Sequence, residues 1–125
     1  MNKLKVAEIT ALTREINEII LPLKLSIQEK VHFMNLGDKL LNYVKAFEDS
    51  QKALIEKHKI KLNEDGTLSD KNKKEDTKLF LKAYELLLQE EIEFDFNAYQ
   101  NFDKSKILDA ETEKIPALFI KYFLS

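Results

Sequence analysis

The sequence lacks several of the components that common functions require. It contains no cysteine and no tryptophan, and only two glycines and two prolines among 125 residues. Without cysteine there is no disulfide and no thiolate chemistry, which fits a reducing compartment. Gly37 and Gly66 are too far apart in the chain to form a glycine-rich phosphate loop.

Long apolar runs are also missing. No uncharged stretch approaches the ~18 residues that a membrane-spanning helix needs. Near the N-terminus, Glu8, Arg14, Glu15 and Glu18 interrupt the apolar residues, so the pattern differs from that of a signal peptide. We therefore expect a cytosolic protein with no membrane association.

Neither sign of charge predominates. Twenty basic residues against 22 acidic ones give a formal net charge of -2, so no overall positive field would attract a phosphate backbone. The two lysine clusters, residues 57–61 and 71–74, are diluted by acidic neighbours and contain no interleaved aromatic residues. We do not expect nucleic-acid binding.

The composition that is present favours one helix-rich globular domain. Hydrophobic residues make up 44% of the chain and charged residues 34%, and a chain of 125 residues can bury a single core. We therefore predict that residues 1–125 form a single domain.

Apolar residues at helical spacing predict a first helix from Val6 to Ile20, which must end before Pro22. Ser26 and Glu29 have the spacing of a capping box and predict the start of a second, long helix. Its predicted core-facing residues keep roughly the 3.6-residue period and are Val31, Phe33, Leu36, Leu40, Leu41, Val44, Phe47, Leu54 and Ile55.

The second half of the chain changes from helical to alternating patterns. Residues 60–68 read as a short β-hairpin with Gly66 in the turn, and apolar residues from Phe80 to Leu88 predict a third helix. Residues 91–96 alternate apolar and acidic side chains as a half-buried strand does, and the hairpin is its expected partner. The predicted fold class is α+β, mainly α: an antiparallel helical hairpin or three-helix layer with a small antiparallel β-sheet.

Residues suited to catalysis or metal binding do not form a recognisable set. His32 and His58 lie 26 positions apart, and neither has a partner at the spacing of a zinc motif. Asn63-Glu64-Asp65-Gly66 lacks the closing glutamate of a calcium loop and is better explained as a turn. We expect no enzyme activity, no catalytic residues, no metal site and no cofactor.

The order of these segments resembles a diffuse group of small tailed-bacteriophage proteins of unassigned function. The resemblance extends over most of the chain and is clearest at the end of the long helix, in the string Lys52-Ala53-Leu54-Ile55-Glu56-Lys57. Similar proteins commonly have a tyrosine and a glycine where His58 and Lys59 stand here. The resemblance implies a phage origin and a helical fold, and it supplies no catalytic residues.

Two segments are candidates for contact with a partner. The C-terminal stretch of residues 118–124 is apolar around most of a helical circumference, so it either fills the core or presents Phe119, Tyr122 and Phe123 as interface anchors. On the predicted strand, Glu91, Glu93 and Asp95 share one face, which could remain a solvated surface or receive a basic partner.

These observations favour a non-enzymatic phage accessory protein that binds another protein, a host factor or a defence component, in the host cytoplasm. One alternative is a minor virion or assembly protein that forms a symmetric homo-oligomer, which would place it in the virion. Another is a binder of a small ligand or of nucleic acid.

Overall fold

The computed structural model describes residues 2–110 and 114–124. It comprises two compact units: unit 1 is Met1–Val44 with Glu91–Ser125, and unit 2 is Lys45–Glu90. The longest helix contributes residues to both units. Helices predominate and are accompanied by a small antiparallel sheet, which confirms the predicted α+β, mainly α class.

Unit 1 begins with strand β1, Asn2–Lys5, followed by helix α1, Val6–Glu15. The helix continues into a π-helical turn, Ile16–Ile20, that ends just before Pro22. This confirms the predicted first helix, whose buried face consists of Val6, Ile9, Leu12, Ile16 and Ile20.

Helix α2, Ile27–Lys57, starts at the predicted capping box. The backbone N–H of Ser26 donates to Glu29 Oε1 at 2.9 Å, and the backbone N–H of Glu29 donates to Ser26 Oγ at 3.1 Å. The helix passes through Gly37 without interruption, and Gly37 is buried beside Ile16 and Asn17. A Cβ at position 37 would lie 3.9 Å from both Ile16 Cγ2 and Asn17 Oδ1, an ordinary van der Waals contact, so neither a kink nor close packing requires a glycine here.

The sheet consists of β1 paired antiparallel with β2, Glu91–Phe94. Leu4 lies opposite Ile92, and Leu4 and Phe94 are buried. The strand prediction is confirmed, but the expectation that β2 pairs with the 60–68 hairpin is wrong. That hairpin forms only an isolated bridge between Leu62 and Leu68, and the Leu62 side chain is 44% exposed rather than packed against the sheet.

The rest of unit 1 closes the core. A 3-10 turn at Phe96–Tyr99 follows β2, and two short helices come later, α4 at Ser105–Leu108 and α5 at Ala117–Phe119. A π-helical turn, Ile120–Leu124, continues from α5, so the apolar C-terminal stretch is helical. The largest side chains of the core that are fully buried are Phe33, Phe119, Phe123, Leu4, Ile9, Leu12, Ile16, Ile20, Leu36 and Leu40.

Unit 2 is an antiparallel helical hairpin built from the C-terminal part of α2 and helix α3, Lys74–Leu88. The ring of Phe47 on α2 lies 6.3 Å from that of Tyr84, and the ring of His58 lies 6.4 Å from that of Phe80. The third predicted helix and its packing against α2 are thus confirmed.

The segment that connects the two helices of unit 2, residues 58–73, contains a tight turn. Gly66 adopts a φ of 86°, and its backbone N–H donates to the carbonyl oxygen of Asn63 at 3.0 Å. Asp65 Oδ1 accepts hydrogen bonds from the Thr67 hydroxyl at 2.6 Å and the Thr67 N–H at 3.0 Å, and these bonds lower the pKa of Asp65. The Asp65 carboxylate is therefore engaged in the turn, in agreement with the turn interpretation.

Candidate functional site

The acidic residues of the predicted contact strand are exposed, but their setting differs from the expectation. Glu91 lies directly opposite Lys5 and Glu93 directly opposite Lys3 in the β1–β2 pair. Asp95 follows the strand and accepts a hydrogen bond from the backbone N–H of Asn97 at 3.0 Å. The face therefore alternates acidic and basic side chains, and its net negative potential is small at close range.

The aromatic residues of the C-terminal segment lie mostly inside unit 1. Phe119 is fully buried and Phe123 is 1% exposed, with their ring centroids 4.5 Å apart. Each ring also lies near Phe102, at 6.0 Å and 6.2 Å. Of the two roles considered for this segment, filling the core is the one that Phe119 and Phe123 have in this structure.

Tyr122 is half-buried and is tied to α1. Its hydroxyl donates to Glu8 Oε2 at 2.9 Å, and its ring stacks on Phe96 at 4.7 Å. Burial, and then the hydrogen bond to Glu8, raises the pKa of Tyr122 to about 12. The hydrogen bond from the Lys5 backbone N–H lowers the pKa of Glu8, and the hydrogen bond from the Tyr122 hydroxyl lowers it further. The pair therefore consists of a negative carboxylate and a neutral phenol.

A surface that sequence reasoning missed lies on the first part of α2. Four apolar side chains point to solvent at positions i, i+4, i+7 and i+14, and we call them the α2 stripe. Their exposed fractions are 81% for Ile27, 49% for Val31, 53% for Met34 and 37% for Leu41. The core-facing residues Phe33, Leu36 and Leu40 occupy the opposite side of the helix.

The assignment of Val31 and Leu41 to the core is therefore wrong. A helix of this length can carry two apolar stripes on different faces, and each stripe has a 3.6-residue period. Periodicity alone therefore does not separate them. One signal in the sequence does distinguish the two stripes: Ile27, Val31 and Met34 fall on a different helical face from Phe33 and Leu36.

Three uncharged amide side chains lie beside the α2 stripe on one side, together with Lys39. Gln28, Asn35 and Asn42 follow one another at seven-residue intervals beside it and are exposed. Asp38 lies within the stripe between Met34 and Leu41.

The histidines have structural surroundings. His32 Nε2 lies 2.9 Å from the carbonyl oxygen of Tyr99, and the His32 ring meets Phe33 edge-on at 5.2 Å. His58 Nε2 is buried and has no hydrogen-bond partner among the described residues. Within residues 2–110 and 114–124, no group of three or more histidine, aspartate or glutamate side chains is placed to hold a metal ion.

Comparison of the chain with protein-family models, with curated proteins and with solved structures finds no match. None of the described helices is both long enough and apolar enough to cross a membrane.

Proposed function

We propose that this chain is a non-enzymatic bacteriophage accessory protein that acts in the host cytoplasm by binding another protein, a host factor or a defence component. The observation that carries the binding assignment is the α2 stripe, Ile27, Val31, Met34 and Leu41. The phage assignment depends on the sequence resemblance alone.

The α2 stripe has the features of a helical recognition surface. A single exposed leucine is ordinary on a protein surface, but here four exposed apolar side chains are aligned on one helical face, with Asp38 between Met34 and Leu41. Amphipathic helices are recognised through anchors at i, i+3, i+4 and i+7, the pattern that Ile27, Val31 and Met34 follow. Methionine adapts its shape to a partner and is enriched in interfaces.

The helix that bears the stripe is held rigidly, which favours binding because little conformational entropy is lost. Its first turn is fixed by the Ser26–Glu29 capping box. Glu29 also accepts a hydrogen bond from Lys106 Nζ at 2.6 Å, which ties α4 to the start of α2. The Phe33, Leu36 and Leu40 side chains anchor the opposite face in the core.

The contact residues predicted from the sequence take secondary places in this proposal. Because Glu91 and Glu93 lie opposite lysines, they would serve as a polar rim that affects the rate and specificity of association. The burial of Phe119 and Phe123 assigns them to packing, and Tyr122 remains half-exposed at the edge of that core.

The test is capture from host lysate by the immobilised chain, followed by titration with the captured protein after its purification. The double substitution V31K/M34K places two charges in the middle of the α2 stripe at exposed helical positions, where lysine is compatible with the fold. Its charge-matched control is A7K/A98K, which changes two exposed alanines elsewhere in unit 1. A second arm is E91K/E93K/D95K, which reverses the acidic residues.

We expect V31K/M34K to weaken binding by about 30-fold or more, because loss of central anchors commonly costs about 2 kcal/mol or more. The A7K/A98K control should bind like the wild type. Equal affinity of V31K/M34K and the wild type would remove the α2 stripe from the interface, and loss of binding in E91K/E93K/D95K alone would move the interface to the strand. Failure of the wild type to enrich any protein over an unrelated immobilised chain would contradict protein binding as the function.

A further inference from the structure

The buried apolar side chains are divided unevenly between the two units. Of the sixteen among the described residues, fourteen lie in unit 1 and only Ile60 and Phe80 lie in unit 2. The main core cluster, with the side chains packed against it, is drawn from residues 4–44 and 92–124, and none of residues 45–90, all of which are described, belongs to it. Because burial of apolar surface is the dominant favourable contribution to folding, unit 1 has most of this contribution in a core of its own.

Unit 2 depends on a small aromatic contact between its two helices. Tyr84 stacks on Phe80 at 5.8 Å on α3, and these two rings meet Phe47 and His58 of α2. The large apolar side chains of α3 that remain exposed are Leu79, Leu81 and Leu86. Two packed helices without a further layer cannot enclose a larger core, so this contact supplies most of what holds the hairpin together.

The helices of unit 2 are near the length below which a helix needs packing to persist. Helix α3 has 15 residues, and the part of α2 that belongs to unit 2 is residues 45–57. Isolated helices shorter than about 12–15 residues are marginal in water. Once the aromatic contact is lost, neither helix retains enough stability alone, so we expect both to unfold together.

Two features at the end of α2 lower the stability of unit 2 further. Lys59 adopts a φ of 51°, a left-handed conformation that is strained for a residue with a side chain. His58 Nε2 is buried and has no hydrogen-bond partner among residues 2–110 and 114–124. A buried polar atom without a partner loses the hydrogen bond that water gives it in the unfolded chain. Both costs are relieved when unit 2 opens.

We propose that unit 2 opens as one cooperative element under native conditions while unit 1 stays folded, so that α2 remains helical through Val44 and unfolds from Lys45 onward. Segments with few buried apolar contacts open at lower free energy than the core of a protein, and they open as contiguous units. The fold thus combines a stable unit 1 with a segment, residues 45–90, that alternates between ordered and disordered states. This inference does not depend on the proposed function, since the α2 stripe lies in unit 1.

The test is hydrogen exchange of the full chain at neutral pH and low urea concentrations, followed by mass spectrometry of peptic fragments. We expect the amides of residues 46–54 and 78–88 to exchange about 100-fold or more faster than those of residues 31–44. The comparison within α2 is the decisive one, because residues 31–44 and 46–54 belong to one continuous helix. The last turn of α2 is left out because helix ends fray. Equal exchange rates on the two sides of Lys45 would overturn the proposal.

Two core substitutions separate independent opening of unit 2 from unfolding of the whole chain. I16V removes one buried methylene from unit 1, so it should speed exchange of the unit 1 amides several-fold and leave the rates in residues 46–54 and 78–88 unchanged. F80A removes the larger of the two buried apolar side chains of unit 2. It should abolish protection in residues 46–54 and 78–88 while the amides of unit 1 remain protected. An I16V chain in which both units exchange faster by the same factor, or an F80A chain that loses protection throughout, would contradict independent opening.

Discussion

The backbone N–H of Phe119 donates a hydrogen bond to Glu15 Oε1 at 3.0 Å, joining residues that are 104 positions apart. The neighbouring N–H of Leu118 donates to Glu15 Oε2 at 3.3 Å. A carboxylate on α1 thus takes up two amides at the start of α5, where helical N–H groups have no partner within the helix. This contact positions the C-terminal segment so that Phe119 and Phe123 enter the core.

Removal of that carboxylate should destabilise unit 1. We expect E15A to lower the free energy of unfolding by about 1–3 kcal/mol, because two partly buried amides lose a charged acceptor. E48A, which removes an exposed glutamate from α2, is the control and should change it by less than about 0.5 kcal/mol. Urea unfolding followed by circular dichroism measures both, and equal effects of the two substitutions would contradict the assigned role of Glu15.

The end of α2 carries a strained residue. Lys59 has a φ of 51°, and the N–H groups of Lys59 and Ile60 donate to the carbonyl oxygens of Glu56 and Ile55, the two bonds of a Schellman motif. Glycine adopts this conformation without steric strain, so K59G should stabilise the chain by about 1 kcal/mol. K57G, inside the last helical turn, should destabilise it by about the same amount. Thermal and urea unfolding measure the stability of both variants. A K59G variant less stable than the wild type would show that the C-terminus of α2 does not favour glycine at this position.

Acid should weaken the link between α4 and α2. The hydrogen bond from Lys106, with one from the Ser26 N–H, lowers the pKa of Glu29 from 4.5 to about 2. Because the unfolded chain then binds the proton more readily, the stability from this group is present above about pH 4.5 and is lost as the pH falls toward 2. Urea titrations across this range measure the free energy of unfolding, which should depend less steeply on pH for E29Q than for the wild type. Identical pH dependence would contradict the pairing of Glu29 with Lys106.

Alkali should act on the Tyr122–Glu8 pair. Burial raises the pKa of Tyr122 from 10.0 to about 12. The contribution of this group to the stability of the fold is therefore complete below about pH 10 and is lost as the pH rises toward 12. Tyrosinate absorbance of the folded wild type should therefore include one group that titrates late, and Y122F should lack it. A Y122F titration that superimposes on the wild type, after allowance for one fewer tyrosine, would show that Tyr122 ionises normally.

The sequence was sufficient to predict the elements with strong local signals. The capping box at Ser26 and Glu29, the turn at Gly66 and the alternation in residues 91–96 each have a short-range physical cause. Strand β1 was missed because four residues with one buried side chain, Leu4, give almost no periodic signal. Its pairing with β2 depends on contacts between distant parts of the chain, which local patterns do not encode.

The candidate surfaces were harder to predict for the same reason. Alternation placed Glu91 and Glu93 on an exposed face correctly, but the lysines opposite them come from β1, and their placement depends on the pairing register. The α2 stripe was merged with the core stripe, because period alone does not show which face of a helix a core will cover. The anchoring of Phe119 by Glu15 likewise joins the two ends of the sequence.

Oxidation of Met34 tests the central claim, protein binding through the α2 stripe, most directly. Met34 lies in the middle of the stripe and is 53% exposed. The measurement is the rate of sulfoxide formation at Met34 in dilute peroxide, followed by mass spectrometry, for the free chain and for its complex with the captured partner. We predict that the rate falls several-fold in the complex because the partner covers the side chain; an unchanged rate would show that the partner binds elsewhere.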